Sequence, residues 1–235
     1  MTDDAKDGRD GFQAPSWSVW YSWWTSSPRN QPMITTTKAF ALLRWASLFW
    51  LLIWLPSNVW AWGWQNLMHL CDVGLVLACL GMWWRQPLLV SSQALSALLV
   101  GVLWGLDIAW RLVSGHHLIG GTEYMWDTHY PLWIRLQSIF HLVLPFLLLW
   151  TLRILGYDRR ALALQSAIAA LLLILSRFLS PGLNMNYAFQ DPLLHRAWGP
   201  APLHLAVILA GCVVIFLWPT HLILSRIYPA AGRAA

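Results

Sequence analysis

Six residues set inside otherwise apolar stretches hold most of this chain's chemical potential: His69, Cys71 and Asp72 in one stretch, Asp107 in a second, Ser138 and His141 in a third. An ionisable group in hydrocarbon costs roughly 2.5–3.5 kcal/mol on insertion scales, so it persists where it pairs or lines a cavity. Imidazole beside carboxylate makes a general base with its orienting partner. Ser138 or Cys71 would supply a nucleophile for acyl transfer. His69, Asp72, Asp107 and His141 form a donor set that could instead hold a metal ion. Plain hydrogen bonding between helices accounts for the same residues without any chemistry. The two chemical readings require groups from several helices at one depth, and therefore a buried polar pocket.

Positioning these groups falls to six apolar stretches, near residues 38–55, 67–84, 88–112, 132–152, 161–179 and 203–224. Each holds about 18–25 residues, enough for a hydrocarbon core of about 30 Å. Turn signals separate them: Pro56-Ser57-Asn58, Arg85-Gln86-Pro87, Gly120-Gly121, Gly156-Tyr157-Asp158 and Pro181-Gly182. Hydrophobic residues make up 58% of 235 and charged residues only 11%, too little charge to cover a soluble domain. The expected fold is all-α, a polytopic membrane bundle of six transmembrane helices, because lipid-exposed spans must satisfy their backbone internally. It divides into a Trp-rich N-terminal arm (1–37), disordered to interfacial, the six-helix domain (38–226) and a short tail (227–235).

Charge fixes the expected orientation. With the N-terminus inside, Lys6, Arg9, Arg29, Lys38, Arg85, Arg153, Arg159, Arg160, Arg226 and Arg233 are cytoplasmic. Only Arg111, Arg135, Arg177 and Arg196 lie opposite, and Arg44 snorkels from within the first stretch. Both termini are thus expected in the cytoplasm. The basic residues sit at helix ends rather than in a patch, so the net charge of +5 does not argue for nucleic acid. Cys71, Cys79 and Cys212 all lie in apolar stretches, which is no disulfide framework. The acidic, Trp-rich start lacks the n-region and h-region of a signal peptide. Trp60, Trp62 and Trp64 are expected in the first outer loop and Trp83-Trp84 at an inner end, where indoles favour the headgroup layer.

In this orientation the polar groups gather in the outer half. His69 and Asp72 fall in the first turns of the second stretch, three residues apart and on one face. Gln137, Ser138 and His141 share a face of the fourth. Arg177 and His204 lie at the same end, and the outer loops add Glu123, Asp127, His129, Asn184 and Asn186, whereas the inner half offers mainly Thr220-His221. Asp107 and Arg111, four apart, suit an intrahelical ion pair. Cys71 follows His69 by roughly 200° of helix and sits about 100° from Asp72, which puts the thiol at the pocket's flank if His69 and Asp72 face it. Small residues Gly74, Ala78 and Gly81, and Gly101 and Gly105, suit close helix packing.

Three segments together resemble a known family. Leu67-Met68-His69-Leu70-Cys71-Asp72-Val73 is similar to its apolar-HLCD helix, and Phe140-His141-Leu142-Val143-Leu144-Pro145 to a histidine-bearing fourth helix. Asn184-Met185-Asn186-Tyr187-Ala188-Phe189, Pro192 and Gly199-Pro200-Ala201-Pro202-Leu203 resemble the family's pattern before its last helix. Over roughly residues 65–205 the chain thus resembles the YwaF-type six-helix integral membrane proteins of bacteria. These are related to a mammalian transmembrane acyltransferase that remodels ether phospholipids. The resemblance implies a six-helix layout with both ends inside, and acyl-carrying roles at Cys71 and His141, with His69 as a further position. The chain departs from the pattern after Phe189, where Gln190-Asp191 replace a cysteine and a lysine.

Two functions follow as expectations. One is a lipid-directed acyltransferase or hydrolase in a bacterial inner membrane, with His141 as base, Cys71 or Ser138 as nucleophile, and Asp72 or Asp107 orienting the site. It would need membrane lipids as partners and no cofactor. The other is a non-enzymatic carrier or binding protein for a small molecule, proton or ion.

Overall fold

A computed structural model describes residues 33–231, with side chains from Lys38 onward. The expected N-terminal arm lies outside these residues except for its last five, which begin the first helix. Among the described residues all regular structure is helical, apart from one isolated bridge between Tyr157 and Ala230. Six principal helices follow in order: α1 Met33–Trp62, α2 Leu70–Trp83, α3 Pro87–Ser114, α4 Leu132–Leu155, α5 Ala161–Ser176 and α6 Ala201–Ile227. A 3₁₀ turn at Gln137–Ile139 interrupts α4, and a π turn at Cys212–Leu217 interrupts α6. Four of the six, α1, α3, α4 and α6, are long and apolar enough to cross a membrane. The other two, α2 and α5, are apolar but only 14 and 16 residues long.

The helix ends have local causes. Pro87 opens α3 at its first position, where a missing N–H costs nothing. Gly115 closes it in the left-handed conformation, with φ 78°. Gly156 (φ 80°) ends α4. At Pro56, however, the expected turn is absent: α1 runs straight through Pro56-Ser57-Asn58 and carries Trp60 and Trp62 within the helix rather than in a loop. Ser57 Oγ donates within 2.9 Å of the carbonyls of Ile53 and Trp54, restoring hydrogen bonding beside the proline. In an apolar setting leaving the helix would strand more backbone groups than the proline does.

The second apolar stretch also starts later than its hydropathy suggests. Trp64–Met68 forms a 3₁₀ turn, and His69 (φ −59°, ψ 138°) is the non-helical cap residue of α2.

α3 is the central helix, packed against α2, α4, α5 and α6. Half of its most apolar window is buried, against 17% for α1 and for α6, so the outer helices turn most of their apolar surface outward. The core joins Leu75 and Met82 of α2, Val90 and Leu95 of α3, Leu148 of α4 and Leu217 of α6. Glycine allows the closest of these contacts. A Cβ on Gly101 would lie 2.3 Å from the His141 carbonyl oxygen and 2.7 Å from Pro145 Cγ. Backbone thus meets backbone where α3 crosses α4.

Because consecutive helices alternate in direction, the 63–69, 115–131 and 177–200 connections gather at one end of the bundle. At the opposite end the α4–α5 turn is tied to the close of α6. Tyr157 N–H donates to the Pro229 carbonyl at 2.8 Å, Ala231 N–H to the Tyr157 carbonyl at 3.1 Å, and the Tyr157 hydroxyl meets His221 Nδ1 at 2.8 Å.

Candidate functional site

At the loop end of the bundle, where a pocket was expected, a polar cluster is assembled around the first turn of α2. Asp72 is the third helical residue, where a carboxylate faces the positive end of the helix dipole. It is 5% exposed. Its Oδ2 accepts Asn66 Nδ2 at 3.0 Å, and the same amide nitrogen reaches Asn58 Oδ1 at 3.2 Å. Its Oδ1 lies 3.8 Å from Cys71 Sγ. The acid is therefore held by an amide and a thiol rather than by a cation. Asn58 and Asn66 were not singled out in the sequence; their signal was two amides flanking an aromatic turn.

His141 is the most rigidly placed imidazole. Its Nδ1–H donates to the Ser138 carbonyl at 2.9 Å. Its ring stacks on Trp104 at 5.3 Å and 10° and on Phe140 at 4.1 Å and 26°. With Nδ1 committed as donor, Nε2 carries the basic lone pair. His69, at the α2 cap, is its electrostatic neighbour. Among the described residues no hydrogen bond joins either imidazole to the Cys71 thiol or to the Ser138 hydroxyl.

Two loops cover this group, each with a tyrosine. Tyr124 stands in a short turn, Glu123–Met125. Its hydroxyl accepts Trp104 Nε1–H at 3.0 Å and lies near the Ser138 hydroxyl, in electrostatic reach of Cys71 and Asp72. Burial pushes its phenol up to about 12, so it stays a neutral hydrogen-bonding group. Tyr187, in the second loop, lies in reach of Cys71 and Glu123. Its φ of 62° is left-handed, a conformation that costs a non-glycine residue about 1–2 kcal/mol. His204 offsets this strain: Trp198 N–H donates to its Nδ1 at 3.3 Å, so its Nε2–H donates to the Tyr187 carbonyl at 3.0 Å.

An arginine clamps the residue after each tyrosine. Arg135 donates to the Met125 carbonyl at 2.7 Å. Arg177 donates to the Ala188 carbonyl at 3.2 Å while lying 4.1 Å from the Phe189 ring. Asn186 pins the second loop to α2, accepting Leu70 N–H at 2.9 Å and donating to the Met68 carbonyl at 2.7 Å and to Ser176 Oγ at 3.0 Å.

Asp107 does not join the pocket, nor does it pair with Arg111. Its Oδ1 accepts the backbone N–H groups of Leu118, Ile119 and Gly120 at 2.8, 2.7 and 3.0 Å. Its Oδ2 takes His117 Nδ1 at 2.9 Å and the Thr122 hydroxyl. Arg111 instead lies 5.7 Å from the Trp126 ring. The reason is the left-handed Gly115, which folds the loop back along α3 and delivers three amides to a carboxylate that is 1% exposed.

With Asp107 occupied, the four-residue metal set does not assemble. Among the described residues no three His, Cys, Asp or Glu side chains form a metal-binding group. Asp107→Asn is expected to release this loop, losing one charge-assisted bond or more, about 1.5–3 kcal/mol. Hydrogen exchange at the amides of 118–120 checks it, and unchanged protection there would remove the anchoring role.

The remaining expected residues divide between the pocket and its walls. Ser138 is buried near Tyr124, while Gln137 Oε1 accepts the Ser57 hydroxyl at 2.9 Å and ties α4 to α1. Cys71 is half-buried and lies on the α2 face that also carries Gly74 and Ala78. The arrangement presents a thiol beside a carboxyl, an oriented imidazole, and two tyrosines above them. The chain matches no protein-family model, no curated protein and no solved structure.

Proposed function

We propose that the chain is an integral membrane protein of six transmembrane helices, both termini cytoplasmic, in a bacterial inner membrane. Its outward-facing pocket would act on lipid acyl groups as an acyltransferase or hydrolase. One observation carries this reading: His141 is locked by the Ser138 carbonyl and two aromatic rings, with Nε2 left as its basic atom. A fixed tautomer in a pocket holding a thiol is what general-base activation of a nucleophile requires. Cys71 would attack the acyl carbonyl, its proton passing to His141 through one water, and the leaving alkoxide would take that proton back. Tyr124, whose hydroxyl accepts Trp104 Nε1–H, would donate its own proton to the developing oxyanion.

A fatty-acyl thioester probe in native membranes tests this. Labelling is expected at Cys71 and lost in Cys71→Ala. A chain that binds the probe without forming any covalent adduct would be a carrier, not an enzyme. Orientation is tested separately with an impermeant maleimide on intact cells. Glu123→Cys is expected to react from outside and Arg159→Cys only after permeabilisation; the reverse pattern overturns the topology.

A further inference from the structure

Two arginines at the end of the bundle opposite the polar cluster have aromatic partners and no acid. Arg44 is half-buried in α1, its Cζ 4.8 Å from the centre of the Trp83 ring of α2. Arg85, in the turn that follows α2, lies 5.3 Å from the centre of the Phe40 ring of α1. Phe40 and Arg44 are four apart and share a face of α1. Because α1 and α2 run antiparallel, the two contacts follow one another along a single seam, one helical turn or about 6 Å apart. Trp45 packs edge-on against the same Trp83 ring at 4.8 Å and is itself exposed.

What the seam lacks is negative charge. Among the described residues the ion pairs join Asp107 to His117 and Asp158 to Arg160, and no carboxylate reaches Arg44 or Arg85. Arg44 Nε is buried without a hydrogen-bond partner, so the protein supplies this cation with no acceptor. An arginine in an apolar helix persists by pairing or by reaching the headgroup layer. A guanidinium laid over an aromatic face keeps its in-plane N–H donors for another acceptor, and their fork matches the oxygens of a phosphate. The seam is bordered by hydrocarbon on its outer side. Leu48, Leu52 and Leu55 follow Arg44 at separations of four, eight and eleven residues, all within about 80° of it around the helix. Leu48 is half-buried, and Leu52 and Leu55 are exposed. They form an apolar track of about 16 Å that starts at the arginine.

We propose that the α1–α2 seam binds an anionic phospholipid, its phosphate on Arg44 and Arg85 and one acyl chain along Leu48, Leu52 and Leu55. Paired cations beginning an apolar track match an amphiphile better than a free anion, which has no use for the track. In the proposed orientation the lipid belongs to the cytoplasmic leaflet, where basic sites between helices meet acidic headgroups. The inference rests on the helices lying in a bilayer and not on acyl transfer. Trp83 is twelve residues from Cys71, about 18 Å along α2, so the two sites are read separately.

The test is native mass spectrometry of the full-length protein, titrated with dioleoylphosphatidylglycerol or with dioleoylphosphatidylcholine, which share their acyl chains. Wild type is expected to bind the anionic lipid at least about tenfold more tightly than the zwitterionic one. Arg44→Gln and Arg85→Asn are each expected to lose most of that preference. Arg85 has a left-handed φ of 53°, which asparagine tolerates, so the second variant keeps its turn. Arg111→Gln removes the same charge from beside Trp126 at the other end and is expected to bind as wild type does. Equal affinity of wild type for the two lipids overturns the proposal. So does a preference that survives in a folded Arg44→Gln or Arg85→Asn protein, or one lost equally in Arg111→Gln, which would reduce it to overall charge. Displacement of the bound lipid by millimolar inorganic phosphate would mark a free-anion site and overturn the lipid assignment. Acyl labelling at Cys71 is expected to persist in both seam variants.

Discussion

Replacing His141 with alanine is expected to lower acyl-transfer or lipid-hydrolase turnover by about 10²–10⁴-fold, the range a positioned general base contributes. The protein should still insert and fold. The ring's own bonds are one carbonyl contact and two stacking contacts, and the α3–α4 crossing rests on the His141 backbone rather than its side chain. Turnover on membrane lipid extract, beside a thermal unfolding curve in detergent, separates the two effects. Cys71→Ala is expected to match the loss if the thiol is the nucleophile. Ser138→Ala should be far milder, since His141 is held by the Ser138 backbone carbonyl rather than by its hydroxyl. Full turnover by both His141→Ala and Cys71→Ala would leave the pocket as a binding site alone.

Gly101→Leu is expected to be the most destabilising single change in the bundle. Even its first added carbon would meet a backbone oxygen at 2.3 Å and a proline ring at 2.7 Å, and neither can rotate away. Overpacking typically costs about 1–3 kcal/mol and more where backbone must move, so this variant should lose folded yield as well as activity. Gly105 provides the internal contrast. Its Cβ would approach only Leu142 Cδ2, at 2.7 Å, the far end of a flexible side chain. Gly105→Ala is therefore expected to stay within about 1 kcal/mol of wild type. Equal melting shifts for Gly101→Leu and Gly105→Ala would contradict the close-crossing account.

The helical class was legible because apolar runs punctuated by Pro and Gly leave few alternatives in a chain with so little charge. What failed were inferences that treated local spacing as sufficient. The Asp107–Arg111 pair follows from four-residue spacing, yet a carboxylate prefers three converging amides and a hydroxyl to one half-buried guanidinium that lies by the Trp126 ring. Those amides arrive by a loop reversal at Gly115 that helix periodicity does not encode. The relative angles of His69, Cys71 and Asp72 assumed one continuous helix. His69 is a cap with extended ψ, so counting 100° per residue across it has no meaning. Tyr124 went unnoticed and Tyr187 figured only in the family resemblance, because loop aromatics carry no periodicity; only tertiary placement brings them over Cys71.

The clasp between the α4–α5 turn and Pro229–Ala231 bears on how the protein is made. α6 is thinly packed along its length, and the bonds from Tyr157 to Pro229, Ala231 and His221 fasten its far end. They join residues more than sixty positions apart, so the ribosome must finish α6 before any of them can form. Until then the five earlier helices form an unfinished assembly. His204 would not yet hold the Tyr187 carbonyl, and the loop over the pocket would still be unset. The polar cluster at the loop end would thus be completed last during synthesis.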